Sequence, residues 1–395
     1  PLMKWSFALA YVVLAAFVGA FADSFPKGWV MFLTNALKVG GCLLMFCYAS
    51  LGLHFLHRSY LVCLAYALVG IGAAAYSPAK YGIVTEMLPP QLLVKGNSWI
   101  EGLTVLSIII GTMLGGLLIS PRVSDVLLHH SLVSKLVRTP AEGAILVIAA
   151  IYVMAALCNL LIPKTHVRYP RQQKNPFKLV RVFGGYVGVL WRDKLGQISL
   201  AVTTLFWGAG ATLQLVVIEW GKSHLGYRLD QASMLMGVAA AGTVVGSILA
   251  GRISLSRALC VLPVGALMGL VVLLMPLAYS TWSVYLLLLV TGALAGFFVV
   301  PMNALLQHRG HVLLSAGHSI AVQNFNEQIN ILLMVAAYTL LLWLKLPINQ
   351  IIVLFGLIVV VLMLIFMAWS RRNMKAHPEL QQQIGLEGHG RAMDE

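Results

Sequence analysis

GIGAAAYSPAKYGIVTEMLPPQLLVKGNSWIEG, residues 70 to 102, decides how the chain is read, because GALAGFFVVPMNALLQHRGHVLLSAGHSIAVQ, residues 292 to 323, repeats its plan in weaker form. In each copy a Gly-rich apolar helix is predicted to end at a proline (Pro78, Pro301) and a short basic loop follows. A new helix then opens on Gly-polar-Ser: Gly96, Asn97 and Ser98 in the first copy, Gly317, His318 and Ser319 in the second. A duplicated helix pair in a very apolar chain points to two related halves with a pathway between them.

The composition agrees: 59% of the 395 residues are hydrophobic and 10% are charged, more apolar surface than a soluble domain can cover. Apolar runs of about 20 residues, enough to cross roughly 30 Å of hydrocarbon, recur near 2 to 22, 29 to 49, 60 to 79, 97 to 119, 143 to 162, 197 to 218, 232 to 252, 258 to 279, 282 to 306, 316 to 344 and 347 to 369. The expected architecture is an all-α membrane protein of two six-helix halves whose first helix is missing, since the repeats occupy equivalent places only if 60 to 119 holds the fourth and fifth helices. Residues 1 to 162 are then the N-terminal half (helices two to six), 163 to 196 a cytoplasmic central loop, 197 to 370 the C-terminal half (helices seven to twelve), and 371 to 395 a polar cytoplasmic tail.

Short cytoplasmic loops retain Lys and Arg. With the central loop inside, seventeen cations fall on the inner side, among them Lys27, Lys80, Lys95, Lys164, Arg252, Arg309 and Arg371, against eight outside. The formal net charge of +14 therefore reads as topology and attraction to anionic lipid, not as nucleic-acid binding. In the central loop, the stretch from Phe177 to Trp191 mixes basic and aromatic residues as an amphipathic helix on the inner membrane surface would.

GAFADSFPKGW places Gly19, Asp23, Lys27 and Gly28 in a short loop between two spans. This resembles the G-x-x-x-D-x-x-x-[KR]-[KRG] signature of the major facilitator superfamily, which makes Gly19, Asp23 and Lys27 candidate gating residues. Asp23 is expected against the N-terminus of the 316 to 344 helix, with Lys80 as its charged neighbour. In YSPAKYG, Pro78 bends or ends the helix, and Lys80 is expected just beyond it; Tyr76 and Lys80 join the candidate site. Glu101 lies more than a turn inside its helix and needs a polar partner, because charge facing lipid is expensive. Gln214 is the polar residue in the middle of 197 to 218 and can face a pathway or bond a neighbour. Gly242, Gly246 and Ala250 form a small-residue packing stripe.

The strongest chemical signal is SAGHSIAVQNFNEQINILLMV, where Gln323, Asn326, Glu327 and Asn330 share one helix face with Asn324 and Gln328 beside them. At about 1.5 Å per residue Glu327 falls roughly 16 Å along from Ala316, near mid-bilayer. A carboxylate there costs about 2.5 to 3.5 kcal/mol even on the lenient insertion scale, so it faces a partner or a wet cavity.

The five cysteines, Cys42, Cys47, Cys63, Cys158 and Cys260, lie in apolar segments without metal-binding or disulfide spacing. Enzyme motifs fail: in GHSIA Ala321 replaces the closing glycine of a nucleophile elbow, and before WGKS Val216 stands where a phosphate loop needs its first glycine. No cofactor, metal or catalytic residue is expected.

AAAYSPAKYGI (73 to 83), LFWGAGATL (205 to 213), GFFVVPMNALLQHRG (296 to 310) and AVQNFNE (321 to 327) together resemble the bacterial lysophospholipid transporters, and the similarity runs from Leu2 to about Trp369. The resemblance implies a monomeric, twelve-helix inner-membrane protein that moves lysophospholipids, chiefly lysophosphatidylethanolamine, to the cytoplasmic leaflet for re-acylation by an acyl-ACP synthetase/acyltransferase. An exporter of amphipathic drugs would use the same scaffold. Gln214 stands where the resemblance leads us to expect a basic residue. An ammonium head can use Glu327 and its amides, whereas a purely anionic head meets little compensating positive charge at mid-depth, so lysophosphatidylethanolamine is expected to be carried better than lysophosphatidate.

Overall fold

The computed structural model describes residues 2–47, 58–119, 139–165, 167, 169, 170, 172, 173, 175–380 and 384. The segment 121–138, most of the expected outer loop, and the chain end after 384 lie outside the described residues. Every described regular element is helical. Among the described residues twelve α-helices follow in order: α1 (Leu2–Ser24), α2 (Lys27–Cys47), α3 (Arg58–Met87), α4 (Leu93–Ile119), α5 (Pro140–Leu160), α6 (Pro176–Arg192), α7 (Gly196–Ser223), α8 (Leu229–Ala250), α9 (Leu262–Val272), α10 (Thr281–Leu313), α11 (Ala316–Trp343) and α12 (Ile348–Ala376).

Nine described helical segments are long and apolar enough to cross a membrane, and Leu9–Ser24 and Met234–Ala250 are shorter apolar segments. Each of the eleven apolar runs in the sequence therefore falls on a helix. Their outer faces keep side chains that only lipid solvates well: Ile108 is 61% exposed, Met113 63% and Leu333 64%.

Local chemistry sets several helix starts. Thr139 and Glu142 form a reciprocal capping box, with both bonds 3.3 Å, and Pro140 occupies the first turn of α5 where no amide partner is needed. Asn175 Oδ1 accepts from Phe177 N at 3.0 Å and opens α6. Along α6 Leu179, Phe183 and Leu190 are buried, while Phe177, Val180 and Val182 are exposed. Asp193 Oδ2 accepts from Gly196 N at 2.7 Å at the start of α7.

The prolines of the repeat do not end their helices. α3 continues through Pro78 to Met87 and α10 through Pro301 to Leu313. A proline deletes one donor and frees one carbonyl, a loss that buried membrane helices tolerate when neighbours surround the site; Pro78 and Pro301 are both buried. Lys80 is consequently an interior residue of α3 and not one just past its end. α12 likewise continues past 370 to Ala376, where Asn373 Nδ2 donates to Lys194 O at 3.1 Å.

The chain forms two compact units. The first comprises Pro1–Ile83, Ile108–Phe183 and Ala316–Ala321, and the second Val84–Ser107, Gly184–Ser315 and Val322–Glu395. In the first, Val30, Met31 and Ala79 form a small apolar core. The second has a larger core in which Trp220, Leu288, Phe298, Met302 and Ile352 are all but fully buried. Within it α8 and α10 pack backbone to backbone: a Cβ on Gly242 or Gly246 would strike the carbonyls of Leu289 or Ala293, and one on Gly292 or Gly296 those of Ala239 or Thr243.

Candidate functional site

Two buried polar clusters stand out, one in each unit. In the first unit, Asp23, in the last turn of α1, lies beside the opening turn of α11. Asp23 Oδ1 accepts from Gly317 N at 2.9 Å, and Oδ2 from His318 N at 3.2 Å, with His318 Nδ1 2.9 Å away. Lys27 Nζ donates to Asp23 Oδ1 at 2.7 Å and to Ala22 O at 2.7 Å. The first amides of a helix have no partner in their own helix, so the carboxylate satisfies two of them and meets the positive end of the helix dipole, an interaction of about 0.3 to 1 kcal/mol at a surface and up to about 2 kcal/mol when partly buried. Small residues make the approach possible. A Cβ on Gly317 would lie 2.5 Å from Asp23 Oδ1 and 2.7 Å from Gly19 O, and one on Gly19 would lie 3.0 Å from Ala321 Cβ. The structure thus gathers Gly19, Asp23 and Lys27 at the helix N-terminus where the sequence put Asp23. Lys27 and His318 are charged or titratable neighbours of Asp23, and the Lys80 ammonium lies 4.8 Å from the centroid of the Tyr81 ring.

In the second unit three helices contribute polar residues at i, i+4 spacing, which places each pair on one face: Asn97 and Glu101 on α4, Asn303 and Gln307 on α10, Gln323 and Glu327 on α11. All six are buried. Asn97 Nδ2 donates to Gln307 Oε1 at 2.9 Å, and Asn303 Nδ2 to Glu101 Oε1 at 3.2 Å. Gln323 Nε2 then donates both to Asn303 Oδ1 at 3.0 Å and to Glu327 Oε1 at 2.8 Å. Two carboxylates, Glu101 and Glu327, are thereby joined through two amides. Among the described residues no cation pairs with Glu327, and Gln323 Oε1, Asn97 Oδ1 and Gln307 Nε2 have no hydrogen-bond partner. Such a ladder has spare acceptor capacity beside a negative charge, the chemistry that receives an ammonium, a proton or a small cation.

The other residues of the polar α11 face do different work. Asn326 donates to Val322 O at 2.8 Å and accepts from Trp191 Nε1 at 3.2 Å, which ties α11 to the end of α6. Asn330 Nδ2 donates to Thr204 O at 2.8 Å and binds α11 to α7. Asn324 is half-buried and Gln214 exposed. Arg309, counted with the loop cations, is buried and holds Asp193 through two bonds, Nη2 to Oδ1 at 2.7 Å and Nε to Oδ2 at 3.2 Å.

Asn303, His318 and Lys38 escaped the sequence reading. Asn303 and Gln307 carried a legible signal, two amides four residues apart in an apolar helix. Lys38 carried a clearer one: in NALKVGG it lies inside a membrane span, eleven positions after Lys27, roughly 16 Å along the axis at about 1.5 Å per residue. A cation therefore does stand at mid-depth, and the expected disadvantage of lysophosphatidate loses its premise. Tyr76 lies beside Lys38, its ring centroid 4.3 Å from the Lys38 ammonium.

Comparison with known proteins accords with this architecture. The family model described as Major Facilitator Superfamily matches residues 5–329. A protein of Pectobacterium carotovorum subsp. carotovorum named lysophospholipid transporter LplT is 40% identical over 343 residues, 86% of this chain and 77% of that protein. One of the same name from Yersinia enterocolitica is 38% identical over 351 residues, 88% of this chain and 80% of the other. Among solved structures, the human organic anion transporter MFSD10 superposes with a TM-score of 0.70 at 16% identity, covering 93% of this chain and 83% of its own. FucP in its outward conformation superposes with a TM-score of 0.68 at 13% identity, covering 94% and 89%; likeness at such low identity bears on the fold alone. The length of the family match and the identity to curated relatives establish that the chain is a multi-pass membrane transporter of the Major Facilitator Superfamily, not an enzyme, and belongs with the bacterial LplT proteins.

Proposed function

We propose that this protein is a lysophospholipid transporter of the bacterial inner membrane. It carries lysophosphatidylethanolamine and related single-chain lipids to the cytoplasmic leaflet by alternating access, where an acyl-ACP synthetase/acyltransferase restores the second chain. The names of its relatives support the substrate class. One observation carries the chemistry: a buried Glu327, without a cationic partner among the described residues, hydrogen-bonded at 2.8 Å to Gln323 and linked through Asn303 to Glu101 in the interior of a membrane-spanning helix. The ethanolamine ammonium brings three donors and one positive charge, which suits Glu327 and the open Gln323 Oε1. The Asp23, Lys27, Gly317 and His318 cluster is the latch that closes and reopens in each cycle.

Uptake of labelled lysophosphatidylethanolamine by vesicles reconstituted with the purified protein tests this reading. Wild type is expected to transport, and Glu327→Gln to transport at least tenfold more slowly. A wild type that carries unrelated amphipathic drugs but no lysophospholipid would overturn it.

A further inference from the structure

The first unit holds a buried cation that no carboxylate neutralises among the described residues. Lys38 lies mid-span in α2 and is 7% exposed. Its ammonium donates one hydrogen bond, to Asn35 Oδ1 at 3.1 Å, and faces two aromatic rings, Tyr76 at 4.3 Å and Tyr152 at 5.3 Å to the centroids. Among the described residues no carboxylate pairs with it. An ammonium has three N–H donors. The cation–π contacts hold the charge in place, yet they leave donors free and the charge unneutralised.

The neighbouring α3 is shaped around this side chain. Gly72, Tyr76 and Lys80 follow one another at i, i+4 and i+8 and share a face. Gly72 makes room for the stem of Lys38: a Cβ there would lie 2.8 Å from Lys38 Cγ and 2.9 Å from Thr34 O. Tyr76 meets the ammonium, and Lys80 adds a second cation one turn further along. A lone lysine facing lipid would extend its long side chain toward the interface. Lys38 is instead held inward by a glycine slot and two tyrosines, and intramembrane charge held in this way marks a substrate pathway.

We propose that Lys38 is the core of a phosphoryl-oxyanion subsite in the first unit, taking the phosphodiester of the lipid head. Tyr76 and Tyr152 position its ammonium, and Lys80 contributes to the same positive stripe. This rests on the lysophospholipid reading above for the identity of the ligand, but the anion chemistry stands on Lys38 itself.

The test is equilibrium binding to the purified full chain, followed by tryptophan fluorescence, with three probes: lysophosphatidylethanolamine, dodecyl phosphate and uncharged dodecylglycerol. Lys38→Met is expected to weaken both phosphate probes at least tenfold and to leave dodecylglycerol within twofold, while Lys38→Arg retains most of the phosphate affinity. Unchanged phosphate binding in Lys38→Met, or equal loss of all three probes, overturns the subsite. If wild type binds dodecyl phosphate through Lys38 but not lysophosphatidylethanolamine, the lysophospholipid reading fails and the subsite survives. If wild type and Lys38→Met bind lysophosphatidylethanolamine equally, the reverse holds. Displacement of dodecyl phosphate by millimolar inorganic phosphate alone would overturn the assignment to a lipid head and give the site to free phosphate.

Discussion

The Asp23 cluster and the Glu101–Glu327 ladder bury carboxylates to similar degrees, yet their partners differ in kind. Asp23 is met by an ammonium, two helix-terminal amides and an imidazole, all within 3.2 Å. Glu327 is met by one neutral amide, and its nearest linked acid is another carboxylate. A buried charge whose partners come with the fold is a structural fastening; one whose counter-charge is not supplied by the described residues is poised for a ligand. Lys38 fits the second kind with the sign reversed. The contrast predicts that substitutions in the first cluster act on stability and transport together, and those in the second on transport with little change in stability.

The largest effect is expected at Asp23. Asp23→Ala removes the carboxylate that Lys27, the His318 ring and the Gly317 and His318 amides share in a buried site, and removing one partner of a buried ion pair costs about 3 to 5 kcal/mol. Thermal unfolding of the purified protein should show a clear fall in midpoint, alongside slower uptake. An unchanged midpoint would remove the distinction between the two clusters.

Gly317→Ala attacks the same fastening sterically, because its Cβ would press on Asp23 Oδ1 and Gly19 O. Overpacking of this kind costs about 1 to 3 kcal/mol. The expected result is a smaller fall in midpoint than for Asp23→Ala, with membrane insertion intact. A Gly317→Ala protein as stable as wild type would show that α1 and α11 separate without penalty.

Glu327→Gln is the opposite case. Glutamine can still accept from Gln323, and the buried charge is gone, so the unfolding midpoint should stay level or rise. Uptake should nevertheless fall at least tenfold, equivalent to about 1.4 kcal/mol. A mutant that loses stability while transporting normally would make Glu327 a structural residue and collapse the comparison.

The fold was legible because each apolar run of about 20 residues has one outcome in a bilayer. Helix ends were less legible: Pro78 and Pro301 normally break helices in water, but here α3 and α10 continue through them. Asp23, Gln323 and Glu327 could be named because a charge or amide in apolar sequence is conspicuous. Their partners could not. Asn303 and His318 are joined to Glu101 and Asp23 across 202 and 295 positions, and neither periodicity nor composition carries pairings at that range. Lys38 was readable within its own span and was hidden only when basic residues were sorted into loops. The α11 amides were readable as a face, but not as separate jobs, since a side chain's partner depends on which helix packs against it.

The smallest effect separates those jobs. Asn330 lies one turn beyond Asn326 on α11, three positions past Glu327, and looks in the sequence like part of the same polar site. Its Nδ2 donates to Thr204 O on α7 at 2.8 Å and so joins two helices of the second unit. Hydrogen bonds of this kind in membrane proteins average about 0.6 kcal/mol by double-mutant cycles. The acceptor is also a backbone carbonyl that retains its place in a regular helix. Asn330→Ala should therefore lower the unfolding midpoint only slightly and leave lysophosphatidylethanolamine uptake within about twofold, roughly 0.4 kcal/mol at 1.36 kcal/mol per tenfold change. Measured beside Glu327→Gln, it divides one helix face into a residue that serves transport and one that serves packing. An Asn330→Ala loss as large as that of Glu327→Gln would show that the whole α11 face acts as one site, and that the ladder through Asn303 to Glu101 is not what sets Glu327 apart.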